Sequence, residues 1–254
     1  MIIIKRGRFI KGIAGFVLFI SALTFILAVN VKNDRVFSFI GRRLPIYCVD
    51  TKEKKVAITF DASWREDNTD EIINILDKYN VKATFFLVGT WIDANPDKLK
   101  VLYDKGHEIG NHTNSHPDMN NISQDKLRKE IESVDEKIKK VTGAGTSLFR
   151  CPSGDYNDQI INTVEGENKY CIQWDVDSID WRNEGAETEL NRVIKKTKPG
   201  SIILFHNDAK FTPKNLPLII EYLKKNGFDM VTVSELIYKK DYTIDSTGKQ
   251  IYNK

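Results

Sequence analysis

The chain has 254 residues, 41% hydrophobic and 29% charged, which is ordinary globular composition and length enough for one large domain with its own core. Its net charge of +3 is unevenly spread: residues 1–44 carry eight basic residues against one acid, Asp34, so the remainder holds 30 basic and 34 acidic residues, a net of −4. A body of that sign has no electrostatic footprint for nucleic acid, and that class of partner is excluded.

In chain order, residues 1–11 are a basic segment (Lys5, Arg6, Arg8, Lys11), and residues 12–29 hold no charged side chain over eighteen positions, enough to cross a bilayer core as a helix. The positive-inside rule keeps residues 1–11 in the cytoplasm and sends the body across the cell membrane, a single-pass topology. A cleaved signal peptide is the competing reading, disfavoured by the length of the apolar run and by the lack of a small-x-small site after it. Residues 30–48 read as a linker, 49–240 as the domain and 241–254 as a C-terminal tail.

Strand-like runs then alternate with helical patterns. Strands are predicted at 55–61, 83–88, 107–111, 148–150, 171–175, 201–206 and 230–233. Asn68 or Thr69 caps a helix whose Ile72, Ile73, Leu76 and Tyr79 share one face. Ser123 opens another, with Leu127, Ile131, Val134, Ile138 and Val141 at spacings of three and four and Gly143 past its end. Such alternation means a parallel sheet, and Asp61, His112, Arg150, Asp175 and His206 all fall at or just beyond strand ends. A barrel gathers every strand end at one mouth, whereas an open doubly wound sheet uses only some. The predicted fold is therefore α/β, an irregular (β/α) barrel with about seven parallel strands and a side-open groove suited to a long polymer. Cys48, Cys151 and Cys171 form no CxxC motif and read as packed free thiols.

His112 and His116 stand four residues apart, a spacing that can put both imidazoles on one metal, and Pro117 favours a loop over a helix there. Asp61 and His206 each follow a buried run directly. Arg150-Cys-Pro-Ser-Gly is a cation before a rigid turn, and Asp175, Asp177 and Asp180 cluster beside Trp181. Each alone has a bland explanation as a turn, a cap or a structural histidine. All five in this order on five strand ends do not.

From about Lys55 to Leu236 the sequence resembles the polysaccharide deacetylase family, the NodB homology domain of carbohydrate esterase family four. Thr59-Phe60-Asp61-Ala62 resembles its Thr-Phe-Asp-Asp motif, and His112 to His116 its His-x-x-x-His motif. Arg150-Cys151-Pro152 resembles Arg-x-Pro, Asp177 to Trp181 resembles Asp-x-x-Asp-Trp, and Leu204-Phe205-His206 resembles Leu-x-His. The Phe-Asp-Ala variant and the lead-in from Leu44 to Asp50 look most like the sporulation-associated branch.

The resemblance implies hydrolysis of N-acetyl groups on an extracytoplasmic polysaccharide such as peptidoglycan, the spore wall included, with release of acetate. It implies a divalent metal on His112 and His116, zinc foremost, with cobalt, nickel or manganese as alternatives. Asp61 is then the general base, oriented by Arg150, and His206 the general acid, held as imidazolium by Asp180 or Asp177. Ser153 is implied as an oxyanion donor through its backbone N–H, Trp181 as a platform for a sugar ring and Leu204 as a wall for the acetyl methyl.

One position departs from the pattern. The family's second aspartate, its third metal ligand, is Ala62 here, which has no donor atom. Water or a nearby acid such as Glu66 or Asp67 completes the shell, or Asp61 doubles as ligand, or the metal is held weakly and the enzyme is slow or dead. Consecutive residues past a strand end point to different sides, so position 62 is expected to face the ion. The competing functions are a glycan-binding protein without catalysis, a small-amide hydrolase on the same fold, and a cysteine hydrolase built on Cys151.

Overall fold

The computed structural model describes residues 42–63 and 67–253; the basic segment 1–11 expected to be cytoplasmic, the apolar run 12–29, most of the stretch read as linker and Glu66 lie outside them. Among the described residues no helix is long and apolar enough to cross a membrane. The strands are β1 (Cys48–Val49), β2 (Lys55–Ala62), β3 (Thr84–Leu87), β4 (Glu108–Asn111), β5 (Leu148–Phe149), β6 (Tyr170–Cys171), β7 (Val176–Asp177), β8 (Ile202–His206), β9 (Asp229–Val231), β10 (Tyr242–Ile244) and β11 (Lys249–Tyr252).

Seven strands run in the order β6-β5-β4-β3-β2-β8-β7, all neighbours parallel, and β9 joins the start of β2. This is the expected parallel barrel. One predicted strand is broken: residues 171–175 form no single strand. β6 and β7 are instead the two edges of the sheet, and the chain from Ile172 to Asp175 crosses the seam between them. Ile46 pairs with Ile172 along this seam, so the end of the stretch read as linker is packed on the body. The expected tail likewise folds back, β10 and β11 forming a hairpin that pairs with β1. Gln250, fully buried, fixes it by bonding both backbone polar groups of Tyr238.

Period-two alternation sorts β2 into two faces. Val56, Ile58, Phe60 and Ala62 join the core under the helices, where Phe60 stacks on Phe85 at 4.9 Å and on Phe205 at 5.7 Å. Ala57, Thr59 and Asp61 take the other face, toward the barrel interior. Helix Gln124–Thr142 buries Leu127, Ile131, Val134 and Ile138, as their spacing requires, each worth about 1.5–3 kcal/mol of apolar transfer. Ser123 Oγ accepts from Lys126 N at 3.3 Å, and Gly143 ends the helix at φ 76°, a left-handed turn that suits glycine. Helix Thr69–Lys78 is capped differently from expectation: the Asn68 amide donates to Ala209 O, and Asp67 accepts the Thr69 N–H.

Candidate active site

The C-terminal ends of the strands open into one groove of about 430 Å³, lined by Asp61, Ser63, His112, His116, Ser153, Trp174, Asp177, Trp181, Leu204, His206 and Asp208. Every sequence-predicted site residue except Arg150, Asp180 and Asp175 lines it directly, and the first two lie immediately behind it, buried. Asp175 does not belong to it. Its carboxylate accepts from Ile202 N at 3.0 Å and Ser201 Oγ at 3.1 Å, at the opposite end of β8, because the break in the fifth predicted strand puts Asp175 before β7 and Asp177 at its end. Ser63, Trp174 and Asp208 are lining residues that the motifs did not indicate.

Asp61 is turned inward by the β2 alternation, and Arg150 Nη1 donates to its Oδ1 at 2.7 Å. Arg150 is fully buried; its Nη2 donates to Gln173 O at 3.1 Å and its guanidinium lies 4.0 Å over the Phe86 ring. That ring fits because position 110 is glycine: a Cβ there would stand 2.5 Å from Phe86. Burial alone would raise the Asp61 carboxyl, but Arg150, with smaller help from His112 and His206, outweighs it and holds Asp61 below the usual carboxylate range. The value of this buried pair is a fixed anion at the groove floor rather than net stability.

His112 follows β4, and its Nδ1 lies 2.9 Å from Arg150 O. A carbonyl only accepts, so Nδ1 carries the hydrogen and Nε2 keeps its lone pair. Burial pushes the imidazole down to about 4, so it is neutral. His116 is lowered in the same direction, by burial first. The two rings are 5.1 Å apart. Between them the loop departs from helical geometry, as Pro117 suggested, with Thr113 at φ 65° and His116 at φ 51°. A left-handed β-branched residue costs on the order of 1–3 kcal/mol. Three bonds hold it: Thr113 N donates to Asn111 Oδ1 at 3.0 Å, Gly89 N to Thr113 O at 3.0 Å, and His116 N to Thr113 Oγ1 at 3.1 Å.

His206 ends β8 with its Cα directly across from Asp61 on β2. Its Nδ1 is 2.7 Å from Asp180 Oδ1, and its backbone N–H donates to Asp180 Oδ2 at 2.7 Å. Burial works against the charged form, but the Asp180 hydrogen bond and charge, with Asp61 and Asp208 behind them, push His206 up to about 9. Of the two carboxylates proposed to hold it, Asp180 does so. Asp177 spends an oxygen on Ile179 N at 2.7 Å and lines the groove instead. Ser153, at φ 56°, and buried Leu204 line the groove, and Trp181 is half exposed with Arg182 over its ring.

Two expectations around the third metal ligand fail. Ala62 is the last residue of β2, paired with Leu87, so alternation turns its methyl into the helix-facing core, fully buried, rather than toward the groove. The strand runs one residue further than predicted, and Ser63 takes the groove position. Asp67 is occupied by Lys98 at 2.8 Å, Thr69 N and Asn207. Among the described residues no cluster of three His, Cys, Asp or Glu side chains could hold a metal. The histidine pair itself fits a divalent ion. Both imidazoles favour the neutral form a ligand needs, and His112 Nε2 faces Asp61 Oδ2 at 3.4 Å, acceptor against acceptor, a contact that a cation beside them relieves. The three cysteines are buried free thiols.

The family pattern for polysaccharide deacetylase matches residues 49–168. The chain is 38% identical over 197 residues to a peptidoglycan-N-acetylglucosamine deacetylase of Bacillus cereus, spanning 76% of this chain and 92% of that protein. It is 30% identical over 213 residues to the peptidoglycan-N-acetylmuramic acid deacetylase PdaA of Bacillus subtilis, spanning 82% and 81%. Among solved structures, a CE4 family pseudoenzyme from Bacillus anthracis matches with a TM-score of 0.73 at 31% identity, spanning 83% of this chain and 73% of that one.

Proposed function

We propose, because the chain belongs to the polysaccharide deacetylase family, a family of hydrolases, that it removes N-acetyl groups from cell-wall peptidoglycan and releases acetate. The observation that carries this reading is the pair of opposite charges across one groove: Asp61 kept anionic by Arg150 and His206 kept protonated by Asp180. Amide hydrolysis needs that pair, since water must lose a proton as it attacks and the sugar nitrogen must gain one before it can leave. Asp61 Oδ2 takes the proton from water; Arg150 occupies Oδ1 and fixes the carboxylate plane. His206 Nε2 delivers the second proton, while Asp180 on Nδ1 sets the ring's orientation. His112 and His116 would hold a divalent ion, zinc foremost, which when bound polarises the acetyl carbonyl and acidifies its water. Leu204 walls the site for the methyl group, Trp181 offers a face to the sugar, and the Ser153 backbone supplies a second oxyanion donor.

The apolar segment 12–29 supports placing this activity outside the cytoplasm at the cell membrane, and the likeness to the sporulation-associated branch supports spore-wall glycan as the target. The test is acetate release from N-acetylated peptidoglycan by the purified chain with zinc added. Release that His206→Ala abolishes is expected. Tight glycan binding with no acetate above that variant would contradict the proposal and make the protein a binding module.

A further inference from the structure

Behind Asp180 a buried polar cluster continues away from the groove, and the chemistry above leaves it unused. Thr212, fully buried at the start of helix Thr212–Lys225, puts its hydroxyl 2.9 Å from Asp180 Oδ2 and 3.3 Å from Glu189 Oε1. Glu189, on helix Ala186–Lys196, is only 3% exposed, and its Oε2 has no hydrogen-bond partner. We infer that Glu189 is a positioning residue for the general acid, holding Asp180 against His206 through the Thr212 hydroxyl. The inference rests on the deacetylase reading only in naming His206 the acid.

A threonine hydroxyl has one hydrogen, so between two carboxyl groups it can donate to only one. The shorter contact is to Asp180, and the hydrogen in the Glu189–Thr212 contact must then come from Glu189 as a carboxylic acid. Its surroundings favour that form: burial, opposed by Asn215, reinforced by the charge of Asp180 and opposed by Thr212, pushes Glu189 up to about 7. The turn at Asp180–Arg182 contributes the Asp180 charge and β8 contributes His206 beyond it. Helix Thr212–Lys225 presents the neutral Thr212 and Asn215, and Arg192 on the same helix as Glu189 is turned to Asp177 O at 2.7 Å. A buried carboxyl with an orphaned oxygen is a costly way to fill space that leucine would fill better. As the far end of a hydrogen-bonded chain, Glu189–Thr212–Asp180–His206, it has a role that packing does not give it.

The test follows the histidine imidazoles of the full chain by NMR from pH 5 to 10 in wild type, Glu189→Leu and Glu189→Gln, beside kcat and KM for acetate release. Glu189→Leu removes the bond to Thr212 and so loosens Asp180 against His206, which lowers the His206 midpoint by about one pH unit. Its kcat falls about tenfold with KM unchanged, because Glu189 lies outside the groove. Glu189→Gln, whose amide donates to Thr212, recovers more than half of both effects. An unmoved His206 midpoint in Glu189→Leu overturns the inference. Should that variant not fold, Glu189→Gln must lose the small inflection near pH 7 that Glu189 ionisation imprints on the His206 resonance, and persistence of that inflection overturns it equally. A moved midpoint in a protein that releases no acetate upholds the coupling and counts against the deacetylase reading instead.

Discussion

His112 and His206 stand on opposite walls of one groove, each at the end of a barrel strand and each largely removed from water, yet they hold opposite protonation states. On the β4 wall, the His112 Nδ1 hydrogen goes to a backbone carbonyl, burial dominates, and the ring is neutral down to about 4. On the β8 wall, Nδ1 meets a buried carboxylate, which outweighs a similar desolvation and keeps His206 charged up to about 9. One side chain type is thus suited to the ligand role proposed on one wall and to the acid role proposed on the other. The difference lies in the second partner, a neutral oxygen or an anionic one.

Removing the anionic partner breaks the comparison most severely. Asp180→Asn is expected to return His206 toward the ordinary range and to cut kcat on the order of a hundredfold or more, read from the pH profile of acetate release. The walls also fail at opposite ends of the pH scale. His206, raised above its unfolded value near 6.5, contributes stability that is fully present below that pH and lost as pH rises through about 9. The loss is at most about 3–4 kcal/mol by the size of the shift. His112, depressed to about 4, makes the fold lose stability as pH falls from 6.5 toward 4. Denaturant unfolding across this range should peak near neutrality and should lose its alkaline slope in Asp180→Asn.

Ala62→Asp sharpens the metal wall. Because position 62 faces the helix-side core, the new carboxylate would be buried without a partner and should destabilise the fold by about 1–3 kcal/mol while leaving zinc affinity unchanged. Chelator competition checks the second half; a rise in affinity would mean that the strand end can turn its side chain into the groove. The smallest effect is expected at the rim, where Trp181→Ala should raise KM several-fold for about 1 kcal/mol of lost stacking, with kcat unchanged.

The barrel and the histidine loop were legible because both are local. Strand and helix periods set the elements, and His112 to His116 is one loop whose non-helical geometry Pro117 already marked. The acid wall was legible only to the choice between Asp177 and Asp180. That choice depends on a left-handed residue, Ile179 at φ 52°, which turns Asp180 inward and which no periodicity marks. Ala62 was misplaced because its side depends on whether β2 ends one residue sooner or later. Asp175 was misplaced because the seam crossing looks like a continuous strand. Glu189 reads as a surface residue of an amphipathic helix; its burial comes from Thr212, 23 positions further along, and from the turn that carries Asp180.

The division between the walls can be read most directly from the histidine resonances of the full chain, titrated without metal and then with zinc. The account requires His112 to stay neutral to about pH 4 and His206 to stay charged to about pH 9, with zinc shifting His112 and His116 and leaving His206 in place. Midpoints for both rings near the ordinary 6.5, or zinc moving His206 as strongly as the pair, would contradict it.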